Sequence, residues 1–186
     1  VYLITLPKID YDLLKKYSYF TTFLSEDTEQ TMLISWAGNF TESFLIECGQ
    51  NISPQSNLNA KEVLNRVLIY SKTKPGEIIP QEKVWLASHP DRVVVNSKNI
   101  EISDENTGAD VVFRTDLDLL NTKLLPKGTS LGFANKAGVI NHPKLEVVDN
   151  KLILKEHATL ILLTTHIPAI TTTCLGYFVD VKEVEF

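Results

Sequence analysis

The side chains most able to do chemistry in this chain are four histidines, His89, His142, His157 and His166, and two cysteines, Cys48 and Cys174. A transition-metal site needs such ligands at short, recognisable spacings. No histidine here stands at a ligand spacing from another ligand, so the four read as surface or strand-end residues, and no metal or cofactor is expected. Cys48 with a histidine would make a nucleophile–base pair. Its flanks, Ile46-Glu47-Cys48-Gly49-Gln50, match no protease signature, and a thiol at a strand end reads as core. Closing the long Cys48–Cys174 loop by a disulfide would stabilise the chain by roughly 4–5 kcal/mol in the chain-entropy model. Sequence cannot bring the two together, so two buried thiols are expected.

The acidic pairs Asp10/Asp12 and Asp116/Asp118 have the composition of an acid–base dyad, but their setting is that of solvated turn or cap residues. Gly128-Thr129-Ser130-Leu131-Gly132 has the GxSxG letters but leads into an extended run rather than a helix, so no serine elbow is expected, and no P-loop or GxGxxG exists. Pro126-Lys127-Gly128-Thr129-Ser130 has the Lys-Gly-Thr of a phosphate loop without its upstream glycine or following helix, and reads as a turn before Leu131-Gly132-Phe133. His89-Pro90-Asp91 copies the tripeptide that J-domain co-chaperones carry between two helices. Strand-like Arg92-Val93-Val94-Val95 follows it here, so it reads as a Pro-containing turn. No catalytic, cofactor-binding or metal residue is assigned, and a non-enzymatic chain is expected.

The elements that would position these residues follow from composition and period. The chain has 186 residues, 44% hydrophobic and 22% charged, which suits one globular domain with a real core. A net charge of −5 without a Lys/Arg cluster argues against a dedicated nucleic-acid binder and against a surface that clings to anionic lipid. No apolar run reaches the length of a membrane helix, so a soluble chain is expected. Asn39-Phe40-Thr41 and Asn51-Ile52-Ser53 fit the glycosylation pattern, which matters only in a secreted chain. The first residue is Val1 rather than Met, so a processed or trimmed start is expected.

Residues 71–81 read as an exposed turn and the one internal boundary, between a mixed first part and an all-β second part. Before it, Asp10–Tyr17 is a short helix candidate. Tyr19–Leu24, Thr31–Ala37 and Ser43–Cys48 are strand candidates. Asn59–Tyr70 is the best helix, capped by Asn59, with Val63, Leu64, Val67 and Leu68 on one stripe and a Glu62–Arg66 pair. After it the period becomes two. Val84–Leu86, Arg92–Asn96, Ile100–Ile102 and Asp110–Thr115 are extended, Asp104–Gly108 is a turn, and Lys144–Val148 with Lys151–Leu154 flank a hairpin turn at Asp149-Asn150. Thr159–Thr165 is apolar on both faces, as in a strand inside a core. Pro168 ends it, Thr171–Thr173 lead into the last strand, and the pattern slips at Lys182-Glu183 as at a β-bulge. The fold expected is mainly β: an antiparallel, jelly-roll-like sandwich with one or two short helices in its N-terminal part.

Leu160-Ile161-Leu162-Leu163, a Pro- and Thr-rich turn and then residues Gly176 to Phe186, Gly-aromatic-apolar followed by alternating acidic and apolar positions, resemble the closing strand pair of viral jelly-roll coat proteins. Leu125–Leu131 resembles the polar turns of phage and virus head proteins. The resemblance implies a structural subunit of a virion (capsid, vertex or decoration) that associates with itself or with other virion proteins. The alternative is a secreted or cell-surface sandwich that binds a glycan or receptor, with Trp36 or Trp85 beside Asn39 or Asp91. The simpler expectation for both tryptophans is burial in the core.

Overall fold

In the computed structural model the described residues are 3–6, 22–25, 45–48, 54–72 and 83–185. The Asp10–Tyr17 helix, the Thr31–Ala37 strand, Trp36, Asn39 and the Asp10/Asp12 pair lie outside them. The chain divides into two compact units, residues 1–89 with 181–186, and Pro90–Asp180.

The first unit pairs strands β1 (Leu3–Leu6), β2 (Thr22–Ser25) and β3 (Leu45–Glu47) with the first part of β4 (Lys83–Val93). β1 runs parallel to β2 and antiparallel to β3, and β2 runs parallel to β4. Helix α1 (Pro54–Lys72) belongs to the same unit. It begins at Pro54, where the missing N–H costs a helix nothing, five residues earlier than the capping expectation. Asn59 is therefore inside the helix. Its amide accepts from Gln55 Nε2 at 2.9 Å and donates to the Cys48 carbonyl at 3.0 Å, which ties the helix to the end of β3. The expected Glu62–Arg66 pair is present at 2.7 Å. Of the expected apolar stripe Val63 is buried, whereas Leu64 and Leu68 are exposed.

The second unit holds a five-stranded sheet in the order β5 (Ile100–Ile102), β6 (Val111–Phe113), β8 (Ser130–Ala134), β10 (Lys151–Leu154), β9 (Leu145–Val148). It also holds the ladder of the first part of β12 (Gly176–Glu185), β11 (Ala158–Ile161) and β7 (Leu124–Leu125), whose pairs are antiparallel. β5 and β6 run parallel and the other pairs of the five-stranded sheet antiparallel. The protein is thus mainly β with few helices. Its sheets are mixed rather than purely antiparallel, and the jelly-roll form is left without support.

The core of this unit gathers Phe113, Leu117, Leu131, Leu152, Leu154, Leu160 and Phe178, all at most 1% exposed. Each such side chain contributes roughly 1.5–3 kcal/mol by leaving water. β11 is buried at all four positions, as its two-faced apolar sequence predicts. The strand then stops at Leu162, which has φ 55, a left-handed value that a branched aliphatic residue takes only under constraint. The constraint is Asn121: its amide accepts from Leu163 N–H at 2.7 Å and donates to Leu163 O at 3.0 Å. Beyond it Ile167–Thr172 is a short helix, α2, where the sequence suggested only a turn. Pro168 sits in its first turn, and the Thr171 and Thr172 hydroxyls donate back to carbonyls of Ile167 and Pro168.

β4 also departs from expectation. His89-Pro90-Asp91 is not a turn between two strands but lies within one, with His89 at φ 52 as the kink that accommodates Pro90. Trp85, on the same strand, is 49% exposed rather than in the core.

Gly132 on β8 is the tightest point of the sheet. It has φ +141, and a Cβ there would lie 2.0 Å from the Val112 carbonyl oxygen. Gly132→Ala is expected to cost about 3 kcal/mol or more, since both backbone strain and a backbone clash oppose it. Urea unfolding measures this, and an unchanged midpoint would show that β8 can move away from β6.

Candidate functional site

The segment between β4 and β5 turns back on itself at Asn96-Ser97-Lys98-Asn99. Val95 bridges to Ile140, and Asn96 N–H donates to Val139 O at 2.7 Å. Ser97 Oγ accepts the Asn99 N–H at 3.0 Å, closing a local serine turn. The same hydroxyl donates to Asp110 Oδ2 at 2.9 Å. Lys136 Nζ reaches that oxygen at 3.0 Å, and Asn99 Nδ2 donates to Oδ1 at 3.4 Å. Asp110 stands at the entrance to β6, so a core strand fixes the hub of a polar network. Together with Thr171 of α2, these residues line an open groove of about 580 Å³.

The electrostatics of the groove suit holding rather than proton transfer. The Lys136 and Ser97 hydrogen bonds keep the Asp110 carboxyl below the ordinary carboxylate range. A general base at neutral pH works best with a pKa near the working pH, and the Lys136 and Ser97 hydrogen bonds move Asp110 away from it. Lys136 and the Asn99 side-chain amide are engaged by Asp110, so the groove offers a ligand chiefly the Lys98 ammonium and the Asn96 amide, with the Asp110–Lys136 pair beside them. That set suits a small polar molecule carrying carboxylates.

A second cluster surrounds His142, which is 6% exposed. Its ring stacks on Phe178 with centroids 4.4 Å apart. Lys144 N–H donates to Nδ1 at 3.2 Å, which places the proton of the neutral ring on Nε2. Nε2 lies 3.1 Å from Asp91 Oδ2 but is not aligned with it as a hydrogen bond, so the contact is mainly Coulombic. Burial pushes the His142 pKa below its ordinary value, against the opposing pull of Asp91. Nδ1 is taken by the Lys144 N–H and Nε2 is shielded from solvent, so this imidazole is not presented to a substrate.

The other residues singled out by sequence are dispersed. His89, His157 and His166 are exposed, on β4, before β11 and before α2. Both cysteines are thiols rather than a bridge; Cys174 is buried and Cys48 only half-buried. Asp116 is gripped by Arg114, whose Nη2 donates to Oδ2 at 2.7 Å and whose Nε donates to Oδ1. This fork holds the Asp116 carboxyl low and makes it a structural partner rather than half of a dyad with Asp118. Among the described residues no group of three or more His, Cys, Asp or Glu side chains is placed to hold a metal ion. No helix among them is long and apolar enough to cross a membrane. The Ser97–Asp110 network was not read from sequence. Its one local signal is the turn composition of Asn96–Asn99, and Asp110 and Lys136 come from elements that only the fold brings together.

No family model and no curated protein sequence matches the chain. Among solved structures it is similar to succinylglutamate desuccinylase from Vibrio parahaemolyticus, with a TM-score of 0.50 and 14% identity. The likeness covers 99% of this chain and 49% of that one, so the chain spans about half the length of the structure it matches. At this identity the likeness is one of fold. It overturns the coat-protein expectation: the architecture that follows this chain nearly end to end is an enzyme's, not a virus coat's. The virion location and the shell-forming role fall with it, and nothing in the comparisons carries the glycan- or receptor-binding alternative.

Ser97→Ala tests the local network. It removes the acceptor of the Asn99 N–H, and hydrogen exchange at that amide is expected to rise about fivefold, the worth of one ordinary hydrogen bond. Exchange at Val112 and Phe113 should stay unchanged, because their partners lie on β5 and β8 rather than on this turn. Exchange at Asn99 equal to that of the parent protein would show that the serine turn does not hold the segment.

Proposed function

We propose that the chain is part of a hydrolase that removes a dicarboxylic acyl group from an amino acid, the reaction named by the desuccinylase whose fold it shares. The observation that carries this reading is the extent of the likeness, 99% of the chain on a single enzyme architecture. The groove lends it chemical support. A succinyl amino acid is a small molecule with carboxylates at both ends, and the groove sets Lys98 beside the Lys136–Asp110 pair among amide and hydroxyl groups, a carboxylate of the substrate competing with Asp110 for Lys136. In this reading the Pro90–Asp180 unit helps to hold the substrate by its carboxylates.

Incubation with N-succinyl-L-glutamate, with free succinate followed by proton NMR, tests the activity. Succinate is expected to appear above the no-protein rate, and faster than acetate from N-acetyl-L-glutamate. A parallel titration should shift the amide resonances of Asn96–Asn99 and Lys136. Absence of both succinate release and these shifts at millimolar substrate would overturn the reading.

A further inference from the structure

The His142 cluster does something that the hydrolase reading neither needs nor explains. The ring is buried, it accepts a hydrogen bond from the backbone two residues ahead, and its Nε2 is the one buried side-chain polar atom among the described residues without an aligned partner. A buried imidazole with a purely structural role normally has both nitrogens satisfied. Here one nitrogen is used to shape the chain. The Lys144 N–H bond to Nδ1 and the Leu145 N–H bond to the His142 carbonyl, at 3.0 Å, together fold residues 142–145 into the entry to β9.

That entry leads to an edge. β9 is the last strand of the five-stranded sheet and, among the described residues, pairs only with β10. Segments at a sheet edge open locally at a small fraction of the cost of unfolding the core. The charged groups around the ring are few. Asp91 comes from β4, with its side chain 61% exposed and therefore screened by water. Lys144 comes from the loop itself, and Glu156, between β10 and β11, faces Lys144 at 3.7 Å. From β12 the ring meets the uncharged Phe178, whose neighbour Tyr177 lies beneath Arg92.

We propose that His142 is a proton-operated latch: uptake of a proton at Nδ1 abolishes its bond to the Lys144 N–H and releases residues 141–145 from Phe178 while the core of the unit stays folded. The chemistry of the step is simple. A proton from water joins the Nδ1 lone pair, which then no longer accepts, and two N–H groups point at each other across the former bond. The imidazolium left behind is buried, with one screened carboxylate near Nε2 and the Lys144 ammonium over the neighbouring Phe178 ring. It is relieved by moving out to water. Because the folded ring resists protonation, the closed loop is fully stable above the ordinary histidine pKa of about 6.5 and weakens as pH falls below it. This inference stands independently of the hydrolase reading.

Amide hydrogen exchange and proton–nitrogen spectra between about pH 8 and about pH 5 read the latch directly. With intrinsic exchange corrected for, Lys144 and Leu145 are expected to lose about tenfold or more of their protection with one midpoint below about pH 6.5, while Val111–Phe113 keep theirs. The ring nitrogens should report a neutral Nε2–H tautomer above that midpoint. Asp91→Asn removes the group that favours the imidazolium and should move the midpoint to lower pH. His142→Asn places an acceptor near Nδ1 that does not titrate, and should leave Lys144 protection flat with pH. Protection at Lys144 that is flat in the unaltered protein, or lost at the same midpoint as that of β6, would overturn the proposal. A midpoint raised by Asp91→Asn would do so too, and both of these readings hold even if the His142 variant fails to fold.

Discussion

A strand with no exposed face can exist only if something covers both of its sides and both of its edges. β6 is that strand: Val111, Val112 and Phe113 are each 0% exposed. β5 occupies one edge in parallel and β8 the other in antiparallel, and β8 comes so close that position 132 has no room for a side chain. The rest of the five-stranded sheet is added outward from that contact, β10 on β8 and β9 on β10. The candidate site depends on it as well. Asp110 is the last residue before β6, so the strand that must be buried also fixes where the groove's carboxylate stands.

The two ends of this buried strand are treated alike electrostatically. Asp110 at its start is matched by Lys136, and Arg114 just past its end is matched by Asp116. Each charge is neutralised where the chain leaves the core, and each pair also anchors a neighbouring turn. Arg114 donates to the Ser130 carbonyl at 3.1 Å, and the Thr115 hydroxyl and N–H both donate to Asp104. Such half-exposed pairs contribute little to stability on their own. Their value is positional, because they fix where polar groups stand around an apolar strand.

Local signals were legible in the sequence and contextual ones were not. The hairpin at Asp149-Asn150, the β5 and β6 segments, the doubly buried β11 and the presence of α1 could be read because period and turn residues act over a few positions. α2 was missed because Ile, Thr and Pro favour extended chain by propensity, and only the Asn121 clasp at Leu163 and the threonine back-bonds override it. The parallel pairings were hidden because a strand's own sequence does not record the direction of its neighbour. His89-Pro90-Asp91 shows the same limit, since a tripeptide that signals a turn is absorbed into β4 by one left-handed residue. The groove was out of reach because Ser97, Asp110 and Lys136 lie on three separate segments. The coat-protein resemblance failed because it rested on a closing strand pair and a polar turn, features shared by many sheets.

The turn between β9 and β10 has a bearing on how the unit is built in time. Asp149 and Asn150 both adopt left-handed backbone, with φ 49 and 62, the geometry whose twist matches two antiparallel strands. The register runs from Val148 opposite Lys151 to Leu145 opposite Leu154, so the whole hairpin ladder lies within residues 145–154. Segments this local close within about 1–10 μs, whereas the pairing of β6 with β8 or of β7 with β11 must first close much longer loops. The hairpin is therefore a template available before the core exists. β8 docks on a preformed edge rather than searching for a disordered one.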